Sequence, residues 1–299
     1  MNPSNVLDFI GNTPIIPLRR MTGPDCARVL LKMEAWNPSG SLKDRIVKRI
    51  IEDAEAQGTL KPHHTIIDAS SGNTGIALGM VATLKGYRSR IYMPETKSVE
   101  RRRIMKAWGT EVVLTSGRDQ NSHIWAAEEM AKDTDHYFYL NQNGAEGNWR
   151  AHYEGTGAEI VGQTGGLIDA FVAGAGTGGT LVGVARCLRD RGIGAAIVAV
   201  EPDSPGSRIE GLLHFDGSYV PPIWDPSLLT EQIRVGDHAA FETARALARQ
   251  EGLFLGPSSG ALVHVALQKA LRLGPDRTVV AIACDQGSRY LSTALVPAD

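Results

Sequence analysis

Four short segments carry residue types and spacings that suit chemistry. The first is Asn37-Pro38-Ser39-Gly40-Ser41-Leu42-Lys43-Asp44-Arg45. Pro38 and Gly40 make a turn, Ser41 is placed to cap the helix that follows, and Lys43 falls in its first turn. The helix dipole disfavours a cation there, so the amine's pKa should drop, which suits a Schiff-base lysine. A solvated surface lysine is the other reading of this segment alone. The second segment, Ser70-Ser71-Gly72-Asn73-Thr74-Gly75, sets hydroxyls and free N–H groups at a helix start, where a carboxylate would bind. A capped helix with no ligand would carry the same residues. The third, Gly174-Ala175-Gly176-Thr177-Gly178-Gly179-Thr180, lets the backbone wrap a phosphate. It also holds a G-x-G-x-x-G match at Gly174, Gly176 and Gly179, with Glu201 ending a strand about 20 residues on. On that motif a nicotinamide-dependent oxidoreductase competes. The fourth, Gly256-Pro257-Ser258-Ser259-Gly260-Ala261, puts serines at a helix start, most often only as caps.

The elements that must position these segments alternate. Apolar runs predict strands at Val29–Met33, Thr65–Ala69, Arg90–Met93, Glu111–Thr115, Tyr137–Leu140, Ala170–Ala173, Ala196–Val200 and Thr278–Ala283. Helices are predicted over Leu42–Ala56, Asn73–Lys85, Val99–Trp108, His123–Lys132, Gly179–Arg189, Phe241–Gln250 and Ala261–Leu271. Asn141–Asn148 is a predicted loop, and Pro202–Pro226 a long irregular stretch. This βαβα order means an α/β fold with largely parallel sheets, whose ligands sit where strands lead into helices. The chemical segments fall at such places.

Composition narrows the function class. The 299 residues hold 31 Lys plus Arg against 33 Asp plus Glu, a formal charge of −2. That argues against a protein whose main task is to grip nucleic acid or an anionic membrane. Nowhere do about 18 apolar residues run together, so no membrane span is expected. Cys26, Cys187 and Cys284 are far apart, and the histidines show no ligand spacing, so no metal site is expected. The first residues lack a basic n-region and a long apolar run, and the sparse cysteines suit a reducing compartment. A cytoplasmic location is therefore expected.

Taken together and in this order, P-S-G-S-L-K-D-R, S-S-G-N-T-G, G-T-G-G-T and S-S-G closely resemble the pyridoxal phosphate enzymes of fold type II. Within them the chain is similar to the cysteine synthase (O-acetylserine sulfhydrylase) family, from Ile10-Gly11-Asn12-Thr13-Pro14 to Arg289-Tyr290-Leu291-Ser292-Thr293. Ala151-His152-Tyr153 and the run from Cys284 to Thr293 look most like the B isoform. Cystathionine β-synthase cores are also similar. The resemblance implies pyridoxal 5'-phosphate as cofactor, held by Lys43 as an internal aldimine. It implies that Asn73 bonds the ring hydroxyl, that Gly176, Thr177, Gly178, Gly179 and Thr180 cradle the phosphate, and that Ser258 faces the pyridine nitrogen. Ser70, Ser71, Gly72, Thr74 and Gln142 would hold the substrate carboxylate.

The implied reaction is β-replacement on an O-activated L-serine through an aminoacrylate, with Lys43 as the base, giving cysteine with sulfide or a β-substituted alanine with another nucleophile. A serine or threonine dehydratase-type lyase is the alternative within the fold. The oxidoreductase reading explains one segment of the four. The resemblance also implies a homodimer and two domains, residues 1–37 with 147–299 binding the cofactor, and a mobile 38–146 carrying the carboxylate loop. Three departures stand out: Ser70 where Thr is usual, Pro257 beside Ser258, and no Arg around Leu212-Leu213-His214. Without that guanidinium a phosphorylated substrate lacks a bidentate partner, which favours O-acetylserine over O-phosphoserine unless Arg208 compensates. The chain carries no haem-binding extension or C-terminal regulatory module, which argues against a vertebrate-like cystathionine β-synthase.

Overall fold

The computed structural model describes residues 3–117, 121–216 and 219–297. Two sheets organise them. The larger runs in the order β1 (Ile15–Pro17), β2 (Arg28–Lys32), β10 (Thr278–Ile282), β7 (Ala170–Gly174), β8 (Ala196–Pro202), β9 (Glu231–Val235). Within it β1 is antiparallel to β2, and the remaining pairs are parallel. The smaller sheet, β5 (Glu111–Thr115), β4 (Arg88–Pro94), β3 (Thr65–Ala69), β6 (Tyr137–Tyr139), is parallel throughout. Every residue of β3 and β10 is buried, as expected of parallel strands covered on both faces. The helices are α1 (Lys43–Ala56), α2 (Asn73–Lys85), α3 (Val99–Ala107), α4 (Ser122–Met130), α5 (Glu146–Ala151), α6 (Ala158–Thr164), α7 (Gly179–Asp190), α8 (Asp237–Ala246) and α9 (Pro257–Leu273).

The α1 stripe works as its spacing demands. Ile46, Val47, Ile50, Ile51 and Ala54 are buried on one side, against the core beneath β3. Helix α2 is buried almost all round from Thr74 to Ala82, which places it between layers. Each expected strand and helix is present, with ends shifted by a few residues, and α9 begins at Pro257 rather than Ala261. Helix α8 starts at Asp237 and runs into a π-helix, Leu247–Glu251. Unanticipated are the short β1, the edge strand β9, and one helical run from Glu146 to Thr164 that joins α5 and α6 through a π-helix, His152–Gly157. The stretch after β8 forms no helix or strand among its described residues until a 3-10 turn at Pro226–Leu228.

A cluster of charges fastens α1 to the larger sheet. Arg45, on α1, donates through Nε and Nη2 to Glu34 at 2.6 and 2.8 Å. Through Nη1 and Nη2 it also donates to Glu159 of α6 at 2.6 and 2.7 Å. Lys32 at the end of β2 donates to the same Glu159 at 2.6 Å and to Gln163 at 2.9 Å. Two cations thus meet two carboxylates with their hydrogen bonds filled, the condition under which buried charges are tolerated. Burial alone would raise the Glu159 carboxyl, but Arg45 and Lys32 outweigh it and hold its pKa at about 2, below the ordinary 4.5. A folded-state value below the unfolded one stabilises the protein fully above pH 4.5, and the gain disappears as pH falls toward 2. Glu159→Ala should cost about 3–5 kcal/mol in urea denaturation at neutral pH, because Arg45 and Lys32 lose their shared partner. The same variant should show a flatter loss of stability across that acid window than the parent chain.

Candidate active site

Lys43 is the first residue of α1 and lines a cleft of about 430 Å³ between the two sheets. The turn before it is closed by Asp44, which accepts from the backbone N–H of Ser39 at 2.7 Å and from the Ser39 hydroxyl. Ser41 accepts from the Lys43 N–H at 3.3 Å, although the helix begins one residue later than a Ser41 cap would give. The amine's pKa is pulled down to about 8 from the usual 10.5. The direction agrees with the sequence argument, but the cause is desolvation rather than the helix end, and the neighbouring acidic groups Cys284, Asp68 and Asp285 work against it.

The 70–75 segment leads from β3 into α2 as expected. Ser70 Oγ accepts from the N–H groups of Gly72 and Gly75 at 3.0 and 3.2 Å, which fixes the loop. The N–H groups of Ser71, Asn73 and Thr74 make no hydrogen bond among the described residues, leaving an open anion site at the start of α2. Gly72 sits at φ +156°, and a Cβ there would lie 2.1 Å from Arg101 Cδ, so no larger residue fits. Thr74 donates to Gln142 Oε1 at 2.6 Å, and Gln142 Nε2 donates to the Ala69 carbonyl at 2.7 Å. That leaves Gln142 one N–H for a ligand. Asn73 is more occupied: Nδ2 donates to Asp285 at 2.6 Å, and Oδ1 accepts from Arg289 at 2.5 Å.

Across the cleft lies the start of α7. The N–H groups of residues 177–180 make no hydrogen bond among the described residues; the first bond of the helix is Val182 N–H to the Gly178 carbonyl. Gly176 and Thr177 line the cleft, while Gly178, Gly179 and Thr180 are not among its lining residues. Thr180 shares a bond of 3.2 Å with His152, a buried histidine whose pKa is driven down by desolvation. Ser258, in the first turn of α9, is 3% exposed and lies behind Gly211, which does line the cleft. Beside it the Cys284 thiol is pushed up to about 12 by burial and is no nucleophile at neutral pH. A larger hollow of about 530 Å³ opens between α1 and α5, but it holds none of the glycine-rich turns.

The structure alters two expectations about charge. Arg208 does not line the cleft. It is exposed, pairs with Asp237 at 3.0 Å and lies over the Phe241 ring. The guanidinium at the cleft wall belongs instead to Arg101 of α3, buried, paired with Glu210 and stacked 4.5 Å above the Tyr290 ring. Its signal in the sequence was the one used for Lys43, a cation in the first turn of a helix. Glu201, the acid of the dinucleotide fingerprint, is spent on Arg234 at 2.9 Å and on the Phe215 N–H. Asp68 of β3 had no signal at all. Its carboxyl is buried near Lys43, and burial raises its pKa to about 8 against the backbone N–H groups of Ala69, Gln142 and Asn141, which lower it.

These residues fit pyridoxal phosphate on geometry alone. A half-buried amine of lowered pKa stands between two helix starts whose unpaired N–H groups suit a phosphate on one side and a carboxylate on the other. The family model for pyridoxal-phosphate dependent enzymes matches residues 6–285. Cysteine synthase B of Escherichia coli (strain K12) is 44% identical over 98% of this chain and 96% of its own. The cysteine synthase of Staphylococcus aureus (strain Mu50) is 41% identical over 99% and 97%. Among solved structures, O-ureido-L-serine synthase superposes with TM-score 0.93 at 38% identity, covering 98% of this chain and 94% of the other. The Entamoeba histolytica cysteine synthase gives 0.92 at 36%, covering 100% and 92%.

In the protein stripped of cofactor, the Lys43 amine should react with an aldehyde or acylating reagent with a midpoint near pH 8, against about 10.5 for an exposed lysine. Peptide mapping by mass spectrometry across pH reads this directly. A Lys43 midpoint no lower than that of the surface lysines would mean that the amine is not desolvated.

Proposed function

The chain belongs to the pyridoxal-phosphate dependent enzyme family, and from that premise we propose that it replaces the β-substituent of an O-activated L-serine. O-acetyl-L-serine and sulfide then give L-cysteine. The observation that carries this reading is the lysine of lowered pKa set between two anion sites that face each other across one cleft.

We assign the roles as follows. Lys43 holds the cofactor through Nζ and, once released, takes the substrate's α-proton on that nitrogen; a pKa near 8 lets it act as a base at neutral pH. The backbone of Gly176 to Thr180, with the Thr177 and Thr180 hydroxyls, holds the phosphate. Asn73 bonds the ring hydroxyl through its remaining amide hydrogen, and Ser258 faces the pyridine nitrogen. Ser70, Ser71, Gly72, Thr74 and Gln142 hold the substrate carboxylate. When bound, pyridoxal phosphate supplies the electron sink for the charge left at Cα. Residues 38–146 form a mobile unit over a larger one made of 1–37 and 147–299. Its closure on a carboxylate at α2 keeps water from the reacting atoms. We propose a cytoplasmic homodimer. Among the described residues no helix is long and apolar enough to cross a membrane.

The cleft wall favours an acetyl leaving group. Arg101 is already matched by Glu210 and Arg208 by Asp237, so neither guanidinium is free to clamp a phosphate. One observation favours O-phospho-L-serine as the second reading. Lys97 lines the cleft with no carboxylate partner among the described residues, its pKa lowered by burial and then by Arg101. The likeness to O-ureido-L-serine synthase likewise supports a β-substituted alanine made with another nucleophile.

Adding O-acetyl-L-serine to the yellow holoprotein without a nucleophile should move its absorption band to longer wavelength, and sulfide should return the band and release L-cysteine. Release of a 2-oxo acid and ammonia without any nucleophile would overturn the synthase reading in favour of a lyase. Lys43→Ala should lower kcat by about 10²–10⁴-fold or more, as loss of a positioned base does. kcat/KM for O-acetyl-L-serine should exceed that for O-phospho-L-serine, and the reverse ranking would give the wall to Lys97.

A further inference from the structure

Asn148 lies on α5, outside the segments that carry the chemistry, and is 1% exposed. Its Nδ2 donates to the backbone carbonyl of Gln142 at 2.6 Å and to Thr177 Oγ1 at 3.0 Å. An amide nitrogen has two hydrogens, and these two bonds use both. The orientation of the amide is forced, because its oxygen could not pair with the Gln142 carbonyl. Oδ1 is left buried without a hydrogen-bond partner, against Gly179, where a Cβ would come within 1.8 Å of it. A side chain kept for packing alone would not strand a carbonyl there, since an unpaired buried acceptor costs stability.

We propose that Asn148 is a positioning residue shared by both anion sites, its single amide nitrogen fixing Thr177 on the phosphate side and the Gln142 backbone on the carboxylate side. This rests on the roles given above to Thr177 and Gln142. Because Thr177 Oγ1 accepts from Asn148, its own hydrogen is left for another acceptor, so the hydroxyl is set as a donor toward an anion at the start of α7. On the other side, the anchored Gln142 backbone holds the side chain where Thr74 and the Ala69 carbonyl leave it one free N–H. One group serving two sites makes their occupancies interdependent, and such coupling is reciprocal.

The test measures the two bindings separately. Apoprotein is titrated with pyridoxal phosphate by equilibrium dialysis. Holoprotein is titrated with L-alanine, which has no leaving group, through the change in its absorption. Asn148→Ala should raise both dissociation constants about tenfold, the effect of one hydrogen bond lost at each site. Asn148→Asp keeps the shape but turns an oxygen toward both acceptors; it should do the same, and it replaces the alanine variant if that variant does not fold. In a Thr177→Ala background, Asn148→Ala should cost no further cofactor affinity, whereas general loosening of the fold would add in full. A change in only one constant, in neither, or full additivity overturns the proposal. If Thr177→Ala leaves cofactor binding intact and Gln142→Ala leaves L-alanine binding intact, the site assignment itself falls, and this proposal with it.

Discussion

Arg45 gives its guanidinium to two carboxylates from different parts of the chain, Glu34 before α1 and Glu159 on α6, so the first turn of α1 has one place to be. Lys43 stands two residues earlier on that turn. The reactive amine is thus located by a charge cluster at its back rather than by contacts of its own. Lys32 completes the charge balance and draws in the larger sheet, while Asp44 closes the turn ahead of Lys43 through Ser39. Breaking the cluster would therefore be felt as a displaced amine before it was felt as a missing one.

Between the two helix starts the protein spends backbone rather than side-chain charge. The open N–H groups at α2 and α7 turn partial positive charge toward the cleft. Burial brings the Lys43 amine down to about 8, so that a share of it is unprotonated near neutral pH. A pair of cationic side chains close by would depress its pKa further, and a carboxylate in the same place would raise it. Asp68, with its own pKa pushed up by burial, is poorly able to do so, because protonation removes the charge that would hold the ammonium.

Legibility in the sequence followed the length and regularity of each signal. Strands such as Ala170–Ala173 and helices such as Asn73–Lys85 are readable because burial leaves apolar runs and because Gly86, at φ +79°, ends the helix. The segments at Lys43, Ser70 and Gly174 are readable because each sits where a strand or turn meets a helix. The run from Glu146 to Thr164 is not. It carries four glycines and few apolar residues, and it is helical because neighbours press close: a Cβ at Gly147 would meet Ile50 at 2.9 Å, and one at Gly157 would meet Cys187 at 2.7 Å. Asp68 was hidden for a related reason. It matters through Lys43, more than 20 residues away, and no local pattern records that. Arg101 carried a local signal, a cation in the first turn of a helix, but nothing in that signal pointed to Glu210.

The far side of the cleft follows a different logic. The irregular stretch after β8 supplies Glu210, Gly211 and Leu212 to the wall, and with no ladder it is held by single backbone bonds, such as Leu213 N–H to the Ala175 carbonyl at 2.7 Å, and by side chains. Arg101 does this from the opposite sheet's helix, pairing with Glu210 while its shaft fills the space beside Gly72. The 70–75 loop, the α3 start and the irregular wall are therefore in contact through one arginine side chain. A ligand that shifts the 70–75 loop must move Arg101, and moving Arg101 strains a buried ion pair that costs more to break than an exposed one. The 70–75 loop and the irregular wall of the cleft are for that reason mechanically linked in this fold, with Arg101 as the part they share.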